Sequence, residues 1–171
     1  MRENVAIGAE AAHAGWNPID HVVTTGSQRS RTRTATEESI RLCGLTDLAD
    51  THVSTLTTGQ RRLVELARCL SGDYDVILLD EPSSGLDHLE TQRFGAILEH
   101  VAKDRGTAIL LVEHDMALVN QICDQVYVID FGKPIFSGTV AEAAASPIVR
   151  HAYLGDDELV ADIRQPEEAS A

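Results

Sequence analysis

Asp80 and Glu81 stand side by side at the end of the apolar run Val76-Ile77-Leu78-Leu79. A short aliphatic run bounded by Asp75 and Asp80 reads as a strand buried on both faces, as in a parallel sheet. Open α/β sheets hold their ligands at the C-terminal ends of such strands, so one carboxylate can face a metal ion and its neighbour a water. Capping of a strand end is the plainer use of the same pair. The next residues add to the pattern, because Ser83-Ser84-Gly85-Leu86-Asp87 is a tight turn into a helix with Asp87 as its N-cap.

Two further stretches carry chemistry. Leu56-Thr57-Thr58-Gly59-Gln60 directly precedes an amphipathic helix. Hydroxyls and backbone N–H groups at that positive terminus suit a phosphate, and a Thr/Gly-rich helix cap is the alternative reading. Val112-Glu113-His114-Asp115 sets His114 just beyond a second apolar strand, on the same sheet edge as Asp80 and Glu81. A structural histidine is the alternative there.

Periodicity places these residues on elements. Arg2 to Ala14 favours a helix that Gly15 and Asn17-Pro18 end. Thr24 to Thr36, with Arg29, Arg31 and Arg33, reads as a polar solvated loop, and Thr34-x-x-Glu37 as a capping box for a short helix through Ile40 and Leu42, stopped at Gly44. Leu63, Leu66, Ala67 and Leu70 share one face of a helix over Gly59 to Leu70. Strands are expected at Val76 to Leu79, Thr107 to Val112, Val126 to Ile129 and Ile135 to Ser137. Helices are expected at Leu89 to Lys103 and Met116 to Cys123, then again from Ala141 to Ala145, with a break at Pro147 before a further helix ending at Leu154. This alternation predicts an α/β fold with a mostly parallel sheet and flanking helices.

Composition narrows the function classes. The 171 residues carry a formal net charge of −13. Residues 1–72 hold 8 basic and 8 acidic side chains, and residues 73–171 hold 6 and 19, so the whole excess follows Gly72. Such a chain lacks the basic face with which proteins bind nucleic acid. Cys43, Cys69 and Cys123 stand far apart, as buried thiols of a reducing compartment do, rather than as a disulfide or zinc framework. No apolar run approaches a membrane span and Met1 to Glu10 has no secretion-signal pattern, so a cytosolic chain that meets a membrane only through a partner is expected.

Taken in order, these motifs resemble the ATP-binding cassette (ABC) ATPases. LTTGQ followed by RRLVELARCL is similar to the signature motif, VILLDEP to the Walker B strand, SSGLD to the D-loop, and His114 to the switch histidine. The spacings of 21 positions from Gly59 to Asp80, 7 from Asp80 to Asp87 and 34 from Asp80 to His114 match the family. Within it, RENVAIGA, LVEHDM, VYVIDFGKPIFSGT and AYLG resemble the ATPase subunits of branched-chain amino-acid importers, with importers of other small solutes close behind.

The resemblance implies a peripheral subunit on the cytoplasmic face of a bacterial membrane that drives transmembrane permease subunits by ATP hydrolysis. Asp80 would position Mg²⁺ through its water shell, and Glu81 would orient and deprotonate the attacking water. His114 would contact the γ-phosphate. Thr57, Thr58, Gly59 and Gln60 would close over the ATP of a second ABC ATPase subunit in a head-to-tail dimer, and Asp87 would link the two sites. Thr57 departs from the family's usual Ser, keeping the hydroxyl but adding a branch at Cβ.

A P-loop of the form G-x-x-x-x-G-K-[ST] is absent from these 171 residues, whose two lysines, Lys103 and Lys133, lie in other contexts. The chain therefore resembles the family from just after the glutamine loop, an incomplete P-loop NTPase fold. Residues 1–58 correspond to part of the helical subdomain, 59–155 to the C-terminal part of the core, and 156–171 to an acidic tail expected to be disordered.

Met1 stands where the family often has Val, which predicts a reading frame extending upstream. Alone, the chain is expected to be inactive as an ATPase, and its sheet to expose apolar surface and pack loosely. Three roles remain open at this point: a fragment of a transport ATPase, a non-enzymatic module lending its signature loop to a partner's P-loop, and an ABC-type ATPase outside transport.

Overall fold

The computed structural model describes residues 1–13, 26–72 and 74–154, which form two compact units divided between Ile122 and Cys123. The acidic tail lies outside the described residues, as does the expected helix stop at Gly15 to Pro18.

In the first unit, helices α1 (Arg2–His13), α2 (Gly26–Leu42) and α3 (Thr58–Leu70) pack on one another. Strands β1 (Val76–Asp80) and β2 (Ala108–Val112) alternate with helices α4 (His88–Arg105) and α5 (Met116–Ile122). The core joins Val5, Ile40, Leu45, Leu66, Leu70, Ile77, Phe94, Leu98 and Val101, so the helical layer and the sheet share one apolar interior. Helices α1 and α3 approach closely at Gly8, where a Cβ would lie 1.8 Å from the Arg68 carbonyl oxygen. Ser71 Oγ donates to the Val5 carbonyl beside that crossing at 2.9 Å.

Helix α2 corrects the sequence reading. Gly26 to Thr36 is helical rather than a loop, and Thr34 sits inside the helix instead of capping one. The polar run folds this way because Thr36, Ser39 and Ile40 lie on a buried stripe, and the Thr36 hydroxyl is satisfied by the Thr32 carbonyl at 2.7 Å. Ion pairs from Arg2 to Glu37 and from Arg105 to Glu38 tie the exposed side to neighbouring elements. Arg29, Arg31 and Arg33 are exposed, on a helix.

Strands β1 and β2 run parallel in the register Val76↔Ala108 to Asp80↔Val112. They are not buried on both faces as the sequence predicts. Ile77, Leu79 and Ile109 pack into the core, whereas Leu78 is 71% exposed and Val76, Leu110 and Val112 are similarly open on the other face.

In the second unit, β3 (Val126–Asp130) and β4 (Lys133–Gly138) form an antiparallel hairpin, followed by α6 (Val140–Ala145) and α7 (Pro147–Leu154). Cys43 is buried, and burial pushes its thiol up to about 12 despite the nearby Arg105 charge; Cys69 and Cys123 are half-buried. Among the described residues no helix is long and apolar enough to cross a membrane.

Candidate functional site

The in-register pairing of β1 with β2 brings Asp80 level with Val112, so Glu81 and His114 leave neighbouring strand ends. The Glu81 N–H donates to the Val112 carbonyl at 2.8 Å, adding one bond to the ladder. There the backbone of Glu81 turns into the left-handed region, φ 43, a conformation that costs a non-glycine residue on the order of 1–3 kcal/mol. Its carbonyl then accepts the Ser84 N–H at 3.1 Å, closing the turn toward Asp87.

Oε1 of Glu81 lies 3.7 Å from Nδ1 of His114, within ion-pair range for a protonated ring and too long for a hydrogen bond. Both side chains are open to solvent, so water has access to the pair. Asp80 is exposed one residue before. Among the described residues no three His, Cys, Asp or Glu side chains are grouped to hold a metal ion. Asp80 offers one carboxylate, which suits a Mg²⁺ that keeps its waters and takes further ligands from phosphate oxygens.

Thr57 is the N-cap of α3. Its hydroxyl accepts the Gln60 N–H at 3.2 Å, and the Gln60 side-chain oxygen accepts the Thr57 N–H at 3.0 Å. The two side chains expected to face a phosphate thus satisfy each other in a capping box. Asp87 caps α4 as the sequence predicts, its carboxylate accepting the Glu90 N–H at 2.8 Å while Glu90 accepts the Asp87 N–H at 3.1 Å.

The two helix starts touch. A Cβ at Gly59 would fall 2.1 Å from Glu90 Oε1, and one at Gly85, whose φ is +80, would meet Thr58 Cγ2 at 3.4 Å. Thr58-Gly59 therefore rests directly on the 85–90 segment, and Gly59 has no room for a side chain while Glu90 stays in its cap.

Glu113, to which the sequence pattern assigns no role, joins the site's two loops. Its carboxylate accepts the Ser83 N–H at 2.9 Å and the Ser83 hydroxyl, and the N–H groups of His114 at 2.9 Å and Asp115 at 3.2 Å. Burial pushes its acidity toward the neutral form, but these hydrogen bonds from Ser83, Asp115 and His114 outweigh burial and hold the carboxyl below the usual range.

The family model of ABC transporters matches residues 2–84, from α1 through the turn after Glu81. The chain carries an ABC transporter domain. The high-affinity branched-chain amino acid transport ATP-binding protein LivG of Salmonella typhimurium is 39% identical over 66% of this chain and 44% of its own length. BraF of Pseudomonas aeruginosa, of the same description, is 34% identical over 90% of the chain and 61% of its length. The methionine import ATP-binding protein MetN of Haemophilus ducreyi is 37% identical over 85% and 38%.

The ABC chain thus spans between 38% and 61% of the length of these relatives. Its fold matches the ADP conformation of an ATP-binding cassette of an ABC transporter, with TM-score 0.71 and 25% identity over 91% of this chain and 62% of that one. A dimeric bacterial ABC transporter cassette matches with TM-score 0.66 and 20% identity, over 81% and 56%.

In the structure the expected residues fall into two groups. Glu81 and His114 meet across the strand ends, and Thr57 to Gln60 stand on the segment that Asp87 caps. Glu90 was missed although Asp87-x-x-Glu90 is a capping-box pattern. Glu113 was missed because an acidic residue beside a strand-end histidine gives no sign in sequence that it turns inward.

Proposed function

We propose that this chain carries the water-activating residues and the signature loop of an ATP-hydrolysing subunit in an importer of branched-chain amino acids or a similar small solute. The pairing of Glu81 with His114 at adjacent strand ends carries the reading. LivG, BraF and MetN, named for branched-chain amino acid transport and methionine import, support the solute class.

ATP with Mg²⁺ supplies the phosphoryl group and the charge neutralisation. Asp80 would hold the ion through water. Glu81, exposed and turned out of the strand, would accept a proton from a water in contact with both its carboxylate and His114. His114 orients that water and donates to developing negative charge, which is how residues contribute most to phosphoryl transfer. Thr57, Thr58, Gly59 and Gln60 present the α3 N-terminus to phosphate oxygens of an opposing subunit, with the Thr57–Gln60 box opening to release its donors. Asp87 stands next to that contact. The P-loop for either site comes from sequence other than these 171 residues, and the assembly includes a second ABC ATPase subunit and permease subunits at the cytoplasmic side of a bacterial membrane.

The test is gel filtration of the purified chain mixed with an intact branched-chain importer ATPase, with and without ATP. Nucleotide-dependent co-elution supports the reading, and elution unaffected by ATP contradicts it.

A further inference from the structure

Glu113 is a fully enclosed carboxylate, with none of its side-chain surface exposed, and the mechanism above gives it no step. Enclosing a charge is costly unless hydrogen bonds replace the lost water. Here the replacement is divided between two loops. Oε1 accepts both the N–H and the hydroxyl of Ser83, and Oε2 accepts the N–H groups of His114 and Asp115. Ser83 is itself buried. Charge-assisted bonds of this kind are about twice as strong as neutral ones. An aliphatic side chain would fill the same space without the desolvation cost, so what the carboxylate adds is the bridge.

We propose that Glu113 is a positioning residue that locks the His114 loop to the Ser83–Asp87 turn, so that the two loops move as one body. Ser83 lies two residues after Glu81, whose carbonyl is bonded to Ser84, and Leu86 donates back to the Ser83 carbonyl at 2.9 Å. Any displacement of the turn at Asp87 therefore reaches Ser83, passes through the Glu113 carboxylate and reaches the backbone of His114. Because Glu113 directly precedes His114 and Ser83 follows Glu81 by two residues, the clamp limits how far Glu81 and His114 can separate. Its catalytic meaning rests on the role of Glu81 and His114 given above, while the clamp is a property of the chain without nucleotide.

Amide hydrogen exchange by mass spectrometry on the 171-residue chain tests it, reading peptides over residues 82–86, 112–116 and 64–70. Ser83→Ala keeps every charge and removes one donor. It is expected to speed exchange in 112–116, thirty positions away, by about tenfold, the size of one lost charge-assisted hydrogen bond. Ser83→Thr, which keeps the hydroxyl, exchanges like the parent, and residues 64–70 in α3 stay unchanged in both. Glu113→Gln, which loses one of the two acceptor oxygens, speeds 82–86 and 112–116 together. Acceleration confined to 82–86 in Ser83→Ala, or equal acceleration in Ser83→Ala and Ser83→Thr, overturns the clamp. Because no nucleotide is present, that outcome leaves the ATPase reading standing, and a failure of ATP-dependent association leaves the clamp standing.

Discussion

The carboxylate of Glu90 covers Gly59 so closely that a Cβ there would meet Oε1 at 2.1 Å. Within this chain Gly59 is thus hemmed in by the cap of the neighbouring helix. Gly59→Ala should displace Glu90 and cost about 1 kcal/mol through the lost capping box. In a Glu90→Ala background the same change should become neutral or stabilising, since Ala is the better helix former. Urea unfolding of the four variants as a double-mutant cycle checks this. An equal cost in both backgrounds would show that Glu90 is not what excludes the side chain.

Stability should also depend on pH through Glu113. Its folded carboxyl is held below the ordinary value by hydrogen bonds from Ser83, Asp115 and His114, which exceed the upward push of burial. A group lowered on folding contributes stability that is complete above its unfolded value and is lost as pH falls through its folded value. Thermal melts from about pH 6 down to about pH 3 should show a Tm loss that flattens in Glu113→Gln. Parallel acid limbs in parent and variant would contradict the assignment.

The same contacts show where the sequence was readable. The strand ends at Asp80 and Val112, the N-cap at Asp87 and the placement of His114 follow from local patterns of apolar runs and turn residues. Helix α2 does not, because its polar stretch gains helicity from tertiary packing of Thr36, Ser39 and Ile40, and T-x-x-E at Thr34 is a capping pattern with no chain break to cap. Glu113 is illegible for a related reason, since its partner Ser83 is thirty residues away.

The apolar runs of β1 and β2 read as doubly buried, and one of their faces is open. Leu78 and Leu110 are paired across that face and 71% and 58% exposed, flanked by Val76 and Val112. A contiguous patch of this kind drives association. The 171-residue chain should therefore bind an anilinonaphthalene dye and aggregate at moderate concentration, and Leu78→Thr with Leu110→Thr should raise the soluble fraction without lowering Tm. Absence of dye binding by the parent would contradict the open face.

At the tip of the β3–β4 hairpin, Phe131 and Gly132 both have positive φ, 44 and 75, the mark of a two-residue type I′ turn. Phe131 is 99% exposed and has nothing to offset its strained backbone. Asn tolerates this region, so Phe131→Asn should stabilise the hairpin by about 1 kcal/mol in denaturant unfolding. A lower midpoint would mean that the ring has a partner in the fold.

Most direct for the central claim is ATP turnover by a chimera in which the part of BraF preceding its matched region is joined to this chain. The account predicts hydrolysis that falls about 100-fold or more in kcat on Glu81→Gln, with KM for ATP little changed, because the general base is removed while binding is kept. A folded chimera whose hydrolysis survives Glu81→Gln would contradict it.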